Sequence, residues 1–300
     1  MKPVLRWTLY GLSGVVVVAA VIAGALNQIA ERKRMRVVKV EVKAVALPSD
    51  AGAVANGKYL FESRGCAECH GGDGKGKVVI DAPNGLYARS PNITRAGTSV
   101  AKYSVKDWVR VVRHGVKPDG RPVLVMPSQD YSCLSDSDVG ALIAYVKSLP
   151  AVGGGEAELR LPFLVRALYG AGVIPDAAEV IDHTLPPAAE VPVGPTAEHG
   201  KYVANMCVGC HGAGFSGGKI PGAPPDWPAA SNLTPGEGTA LARYASAENL
   251  RAMFRTGRRP DGSPVSTVMP FASLRALNDT DVDALYTYLK TLAPRAAGSR

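Results

Sequence analysis

Two short segments of the chain carry the residues best suited to hold a cofactor. Both have the order Cys-X-X-Cys-His, and they read Cys66-Ala67-Glu68-Cys69-His70 and Cys207-Val208-Gly209-Cys210-His211. Residues three apart lie on one face of a helical turn, so the two thiols of each motif can add to the two vinyl groups on one side of a porphyrin. The adjacent histidine then faces the iron. The pattern predicts two covalently bound haem c groups, attached through Cys66, Cys69, His70, Cys207, Cys210 and His211.

Two other uses of such cysteines fit the sequence less well. A structural zinc site needs four ligands, and each motif offers three, with no further Cys or His repeated at matching places. A thioredoxin-like thiol pair opens a helix after a parallel strand, and neither motif follows a predicted strand. Haem attachment is the interpretation that uses every residue of the motif.

Each iron also needs a sixth ligand or an open face. Met126 lies 56 residues after His70, and Met269 lies 58 residues after His211, each in a Val-Met-Pro segment that follows Pro-Asp-Gly. A methionine is more often a filler of hydrophobic cores, but these two are matched in position and the other methionines are not. We therefore expect Met126 and Met269 to be axial ligands, with His70 and His211 on the opposite faces. A soft thioether favours the ferrous state and raises the potential.

The remaining Cys and His residues have no counterpart in the other half of the chain. His114 is the main rival ligand for the first haem, but its equivalent position holds Thr256. His183 and His199 are interpreted as surface residues. Cys133 is seven residues from Met126 and could in principle supply a thiolate, although a structural or free thiol is the preferred interpretation.

The motifs belong to a longer internal repeat, which decides the architecture. In both copies a Gly-Lys-Tyr segment precedes the motif, and a polar Asn-X-Thr segment, an amphipathic helix and Pro-Asp-Gly follow it. Each copy closes with a capped helix, starting near Ser135 or Asn278 and ending near Pro150 or Pro294. We expect an all-α protein with a membrane anchor and juxtamembrane segment (1–45), domain 1 (46–150), a connector (151–194) and domain 2 (195–300). The Pro/Gly-rich connector is apolar around residues 161–169, so an ordered strap is expected.

This combination resembles the class I cytochrome c fold. The arrangement of two copies with a Leu-Pro-Phe segment between them is similar to bacterial membrane-anchored di-haem cytochromes and to the cytochrome subunits of alcohol and aldehyde dehydrogenases. Those subunits usually carry three haem motifs, whereas this chain has two. The resemblance implies that Pro83 and Pro224 supply the backbone carbonyls that orient the proximal imidazoles. It also implies redox-protein partners: a dehydrogenase or quinol-oxidising complex as donor, and a terminal acceptor or oxidase.

The N-terminus predicts a membrane helix. Residues 7–30 contain no charged side chain, and 24 residues rise about 36 Å as a helix against about 30 Å of hydrocarbon. A cleavable signal peptide is the alternative, with Ala23-Gly24-Ala25 as a cleavage site, but the apolar stretch is longer than a signal requires. Five bases between residues 32 and 39 follow the span, and Lys2 and Arg6 precede it, so the positive-inside rule places the body in the cytoplasm. Covalent haem attachment takes place outside the bacterial inner membrane, and this argument favours the periplasm.

The net charge of +8 does not indicate a nucleic-acid-binding surface. Residues 1–43 hold eight Lys or Arg and two Glu, which leaves a surplus of only two positive charges on the remaining 257 residues. Four haem propionates would make that body slightly acidic, so no nucleic-acid partner is expected.

The sequence favours a single-electron carrier over an enzyme. A di-haem peroxidase or a thiosulfate-oxidising cytochrome needs one open or unusually ligated iron, and the two matched Met-Pro segments argue against that. We therefore expect no catalytic residues in this chain, although it could be a subunit of an oxidoreductase complex. Its expected location is the inner membrane, as a single-pass protein with both haem domains in the periplasm.

Overall fold

A computed structural model describes residues 3–224 and 226–299, and Lys2 lies outside the described residues. The fold is mostly helical, as predicted, with one long N-terminal helix followed by two similar helical domains. The long helix, α1 (Pro3–Met35), contains the stretch Tyr10–Met35, which is long and apolar enough to cross a membrane. Among the described residues it is the one helix that meets that test.

Domain 1 contains five helices around one hydrophobic core. They are α2 (Ala51–Ser63), α3 (Cys66–His70), α4 (Val105–His114), α5 (Ser128–Tyr131) and α6 (Asp136–Ser148). Ser104 caps α4 through a capping box with Asp107, and Ser135 caps α6 through the backbone N–H of Asp138. The predicted start and end of the closing helix are thus confirmed.

Domain 2 repeats this plan. Its helices are α9 (Ala197–Ala204), α10 (Val208–His211), α11 (Ala247–Thr256), α12 (Phe271–Ala276) and α13 (Asp279–Thr291), with 3-10 turns at Asn205–Cys207 and Leu241–Arg243. Asn278 caps α13 through the N–H of Asp281, as Ser135 does for α6. In each domain the first and last helices cross at a glycine. A Cβ added at Gly57 would lie 2.0 Å from the carbonyl oxygen of Ala141, and one at Gly200 would lie 1.9 Å from that of Ala284.

The segment between the two domains contains regular elements that contact domain 1 and α1. It contributes β3 (Glu158–Arg160) to a small antiparallel sheet with β1 (Val78–Asp81) and β2 (Tyr87–Arg89), in the order β1-β2-β3. Helix α7 (Phe163–Gly170) lies along α1, and α8 (Ala177–Val180) follows. The imidazoles of His183 and His114 meet with their Nδ1 atoms 3.0 Å apart. The sheet is a small addition to the predicted helical architecture.

The two domains contact each other through matched side chains. The Tyr59 hydroxyl of domain 1 donates to the Asp281 carboxylate of domain 2 at 2.6 Å, and the Tyr202 hydroxyl of domain 2 donates to Asp138 of domain 1 at 2.6 Å. The same hydroxyls accept from backbone N–H groups of the opposite domain, those of Asn278 and Ser135. These four residues occupy equivalent places in the two repeats, so the contact is reciprocal.

Candidate haem sites

The first Cys-X-X-Cys-His motif forms a single short helix, α3, between two glycines in unusual conformations. Gly65 precedes it with φ of 84°, and Gly71 follows with φ of 76°, both in the region that favours glycine. The N–H of Gly71 donates to the carbonyl of Ala67, which ends the helix directly after the histidine. The helical turn places Cys66, Cys69 and His70 beside one cavity, as the spacing predicts.

That cavity has a volume of about 470 Å³ and reaches the predicted methionine. Cys66, Cys69 and His70 line it from α3, and Met126 lines it from the loop before α5. Apolar side chains form most of the rest of its wall, including Phe61, Ile93, Trp108, Leu142 and Ile143. The four residues predicted from the sequence for the first site are therefore brought together around one apolar cavity.

Most of the charged side chains that line this cavity are cationic. Arg34, Arg89, Lys117 and Arg121 contribute to its lining, together with Glu158. Burial lowers the pKa of Lys117, and the charges of Arg121 and Arg34 lower it further, while Asp119 acts in the opposite direction. An anionic group beside these side chains would favour their charged forms. An apolar cavity with cations at its edge fits a haem, whose ring is apolar and whose propionates are negative.

His70 is held ready to act as an iron ligand through its Nε2 atom. Its Nδ1 lies 3.1 Å from the carbonyl oxygen of Pro91, and burial lowers the pKa of the imidazole. A neutral imidazole that donates from Nδ1 keeps its lone pair on Nε2. The prediction that Pro83 supplies this carbonyl was wrong. Pro83 is exposed at the turn of the β1–β2 hairpin, which is inserted between His70 and Pro91.

The second motif follows the same design with a different helical start. Cys207 ends a 3-10 turn, and Val208–His211 forms α10. His211 is buried, and its Nδ1 lies 2.7 Å from the carbonyl oxygen of Ser231, the residue equivalent to Pro91. The prediction of Pro224 for this role was also wrong, because its carbonyl accepts from the N–H of Trp227. In both domains, the carbonyl beside the imidazole belongs to the residue directly before the Asn-X-Thr segment.

Met126 and Met269 occupy matching loops. Each is half-buried against the core of its own domain and stands directly before the proline that begins a short helix, α5 or α12. The carbonyl oxygens of Met126 and Met269 accept from the N–H of Ser128 and Phe271 at 2.9 and 2.8 Å. Cys207 packs against the same core as Met269, while Cys210 is exposed at the surface.

The thiols of the motifs are not activated in the way that redox-exchanging cysteines are. Burial raises the pKa of Cys66 and of Cys207 to about 12. Thioredoxin-like cysteines have lowered pKa values, because the thiolate is the attacking species. Burial also raises the pKa of Cys133 to about 11, and its Sγ contacts the carbonyl oxygen of Asp130 at 3.4 Å. Cys133 is half-buried and its thiol is not activated, which agrees with the interpretation as a structural or free thiol.

His199 was not recognised from the sequence as part of a site. It is buried, and its Nε2 lies 2.8 Å from the carboxylate of Asp281, which also accepts a hydrogen bond from the Tyr59 hydroxyl. The interpretation of His199 as a surface residue was therefore wrong. Its position in the repeat was the feature that could have indicated this contact. The equivalent residue, Asn56, donates a hydrogen bond to Asp138 at 3.0 Å. His183 is half-buried against His114.

Both motif helices lie at the interface between the domains. Glu68, inside the first motif, accepts hydrogen bonds from the N–H and the hydroxyl of Ser273 in α12. Gly209, inside the second motif, lies against Asp130 in α5. Each motif therefore contacts the short helix that follows the methionine of the other domain. Burial raises the pKa of Asp130 to about 6.

A comparison with protein families agrees with this site. The model of the family described as cytochrome c matches the chain twice, over residues 54–150 and 197–293. The chain belongs to the cytochrome c family. Membership indicates covalently bound haem c, and the two matches include both Cys-X-X-Cys-His motifs.

This cytochrome is similar over most of its length to cytochrome subunits of dehydrogenases. It is 28% identical to the fructose dehydrogenase cytochrome subunit of Gluconobacter japonicus, over 81% of this chain and 53% of that protein. It is 29% identical to the gluconate 2-dehydrogenase cytochrome c subunit of Pantoea cypripedii, over 81% of this chain and 60% of that protein. The quinone-dependent alcohol dehydrogenase cytochrome c subunit of Gluconobacter oxydans is 26% identical, over 83% and 56%. The chain thus spans little more than half the length of these relatives.

Proposed function

We propose that this cytochrome relays single electrons through two haems, one in each domain. Cys66 and Cys69 hold the first haem through thioether bonds, and Cys207 and Cys210 hold the second. His70 with Met126 would hold the first iron, and His211 with Met269 would hold the second. The domain boundaries that go with this assignment are 46–150 and 195–300. The location of both motif helices at the domain interface is the observation that carries the proposal, because each motif contacts the other domain and the two proposed haem sites are therefore neighbours.

When bound, each haem would supply an iron that changes between the ferric and ferrous states. The residues around it set which of the two states is favoured. The carbonyls of Pro91 and Ser231 orient the imidazoles of His70 and His211, so that each Nε2 would be available to an iron. The thioethers of Met126 and Met269 favour the ferrous state. A carrier with two six-coordinate irons needs no substrate pocket and no catalytic residue.

The partners in this proposal are redox proteins. The relatives named above are subunits of fructose, gluconate and alcohol dehydrogenases. By that similarity we propose a dehydrogenase as the electron donor and a terminal acceptor downstream. Purification from membranes under mild conditions, followed by identification of the bound subunits, tests this part: a dehydrogenase subunit in stoichiometric amount supports it, and a chain that purifies alone contradicts it.

We further propose that α1 remains as a single membrane anchor, with both haem domains in the periplasm. Trp7 and Tyr10 are exposed near one end of the apolar stretch, where aromatic side chains favour the membrane–water boundary. Several bases after the span, which argue against this orientation, are paired in the folded chain: Lys33 with Glu179, Arg34 with Glu31 and Arg36 with Asp176. Two of these pairs join α1 to the connector, so α1 is part of the folded protein.

Ligand binding separates the carrier from an enzyme. Purified protein should contain two haems that resist acid-acetone extraction, and both should be low-spin when oxidised. Added cyanide or hydrogen peroxide should bind only slowly, because Met126 and Met269 occupy the sixth positions. One high-spin haem that binds cyanide rapidly would contradict the carrier and support a di-haem enzyme instead.

A further inference from the structure

The connector covers one face of α1 at the end of its apolar stretch. Gly170 of α7 makes the closest approach, since a Cβ added there would lie 2.1 Å from the carbonyl oxygen of Leu26. Ala30 is only 3% exposed as a result. Ala23, Leu26 and Asn27 on the same face are half-buried. The spacing of these residues is that of a single helical stripe, so α7 and the turn after it pack along α1.

Ion pairs and hydrogen bonds hold this contact in place. Lys33 donates to the carbonyl oxygen of Tyr169 at 2.9 Å, and Arg36 makes a two-pronged pair with Asp176, with both distances 2.7 Å. The Tyr169 hydroxyl donates to the same carboxylate at 2.6 Å. The Asp176 side chain is completely buried, so the pair is protected from water and ions. The position of α7 on α1 is therefore fixed.

The depth of this contact follows from the length of the anchor. The uncharged residues 7–30 rise about 36 Å as a helix, whereas the hydrocarbon layer is about 30 Å thick. Leu26 to Ala30 therefore lie at the boundary between acyl chains and headgroups. Because Gly170 touches Leu26, the turn that follows α7 lies at the same depth.

The side chains that remain exposed on α7 and on this turn are mostly apolar. Phe163, Leu164 and Val173 are 53%, 67% and 60% exposed, and Ala171 and Gly172 between them are exposed as well. Arg166 is the exposed base within this stretch, and Arg160, which precedes it, pairs with Glu158 and lies over the ring of Tyr87. Apolar side chains beside an exposed arginine suit a bilayer boundary, where the apolar side chains enter the acyl region and the guanidinium group meets phosphates.

We propose that α7 and the following turn, residues 163–175, form a second contact with the membrane, in which Val173, Leu164 and Phe163 insert at the boundary of the outer leaflet. The proposal rests on the anchor assigned to α1 above. Two fixed contacts hold domain 1, and with it the first haem site, in one orientation above the bilayer. A single flexible tether would not do so.

Photo-crosslinking from within the lipid tests the proposal. The full haem-loaded chain is placed in phosphatidylethanolamine–phosphatidylglycerol vesicles that contain a phospholipid with a diazirine near the ester end of one acyl chain. After illumination, mass spectrometry locates the lipid adducts. Adducts are expected on α1 and on the peptide that carries residues 163–175. The matched negative control is the part of the connector around Leu185 and Val193, which are 67% and 75% exposed and lie beyond α8.

The outcomes separate the two proposals. Adducts on α1 alone would overturn the second contact and leave the anchor standing. A lack of adducts on α1 would overturn the anchor itself. The double variant Leu164→Ser with Val173→Ser should lose adducts on its own peptide severalfold and keep those on α1. An unchanged haem spectrum would show that this variant is folded.

Discussion

The hydroxyl of Tyr59 lies 2.6 Å from the carboxylate of Asp281, and this hydrogen bond joins the first helix of domain 1 to the last helix of domain 2. Arg64 pairs with the same carboxylate at 3.0 Å, and both charged side chains are almost completely buried. Burial raises the pKa of Tyr59 to about 12, so the phenol stays a donor at any physiological pH. The carboxylate of Asp281 is thus the centre of the domain contact.

Removing the Tyr59 hydroxyl should weaken this contact. Tyr59→Phe is expected to lower the free energy of unfolding by about 1–2 kcal/mol, because a buried carboxylate loses one charge-assisted hydrogen bond. Urea unfolding followed by tryptophan fluorescence measures the change. Tyr145→Phe is the matched control, since the described residues provide no hydrogen-bond partner for the Tyr145 hydroxyl; an equal loss in that variant would contradict the role of Tyr59.

The contact should also fail in acid. Burial acts to raise the pKa of Asp281, but Arg64, Tyr59 and His199 outweigh burial and hold the pKa below its usual value. A carboxylate with a lowered folded pKa stabilises the protein above its unfolded pKa of about 3.9 and loses that effect as the pH falls further. Wild-type stability should therefore drop more steeply below about pH 4 than that of Asp281→Asn. Asp226→Asn, at an exposed position, should keep the wild-type pH profile.

A second pH effect should appear where the connector meets domain 1. Burial, His183 and the neighbouring Arg113 lower the pKa of His114 to about 4. The unfolded chain then binds more protons than the folded chain between about pH 6.5 and pH 4, so stability falls as the pH falls through that range. The loss in the free energy of unfolding should be only about 1 kcal/mol, because His114 is half-buried and solvent weakens the effect of the pKa shift. His114→Gln should flatten this part of the stability profile, and an unchanged slope would rule out His114 as its source.

The axial methionines should set the two potentials independently. Met126→His should lower the potential of the first haem by about 0.1–0.3 V, a fraction of the span that axial ligands command, and leave the second nearly unchanged. Met269→His should have the converse effect. A spectroelectrochemical titration measures both potentials in one sample, and each variant serves as the control for the other. A wild-type potential in both haems of Met126→His would mean that another residue is the ligand.

The helix crossing in each domain should tolerate only glycine. Gly200→Ala would place a Cβ 1.9 Å from the carbonyl oxygen of Ala284, so α9 and α13 must separate. We expect a loss of about 3 kcal/mol or more in unfolding free energy, at the upper end of the cost of overpacking. Gly153→Ala has open space around its Cβ and should be nearly neutral. Similar stability of the two variants would show that the helices can adjust.

The sequence was sufficient for the features that repeat and that follow a local rule. The caps at Ser135 and Asn278 depend on nearby residues and are found as predicted, and the residues predicted for the first site, including Met126, line one cavity. The carbonyl partner of His70 depends on where the chain returns after the β1–β2 hairpin, and counting residues to Pro83 missed it. The burial of His199 depends on α13, which lies about 80 residues further along the chain. Such long-range partners follow from packing and not from local sequence.

The reciprocity of Tyr59 with Asp281 and of Tyr202 with Asp138 has a consequence for the origin of the protein. When residue i of one unit meets residue j of another, and j meets i in return, the contact is isologous, which is the geometry of a symmetric homodimer. Here one polypeptide carries both halves. A duplicated and fused gene would preserve such an interface while freeing each half to change alone, and Arg64, which has no arginine equivalent in domain 2, is one such change. The surface that joins the two domains therefore has the geometry of a contact between two identical domains.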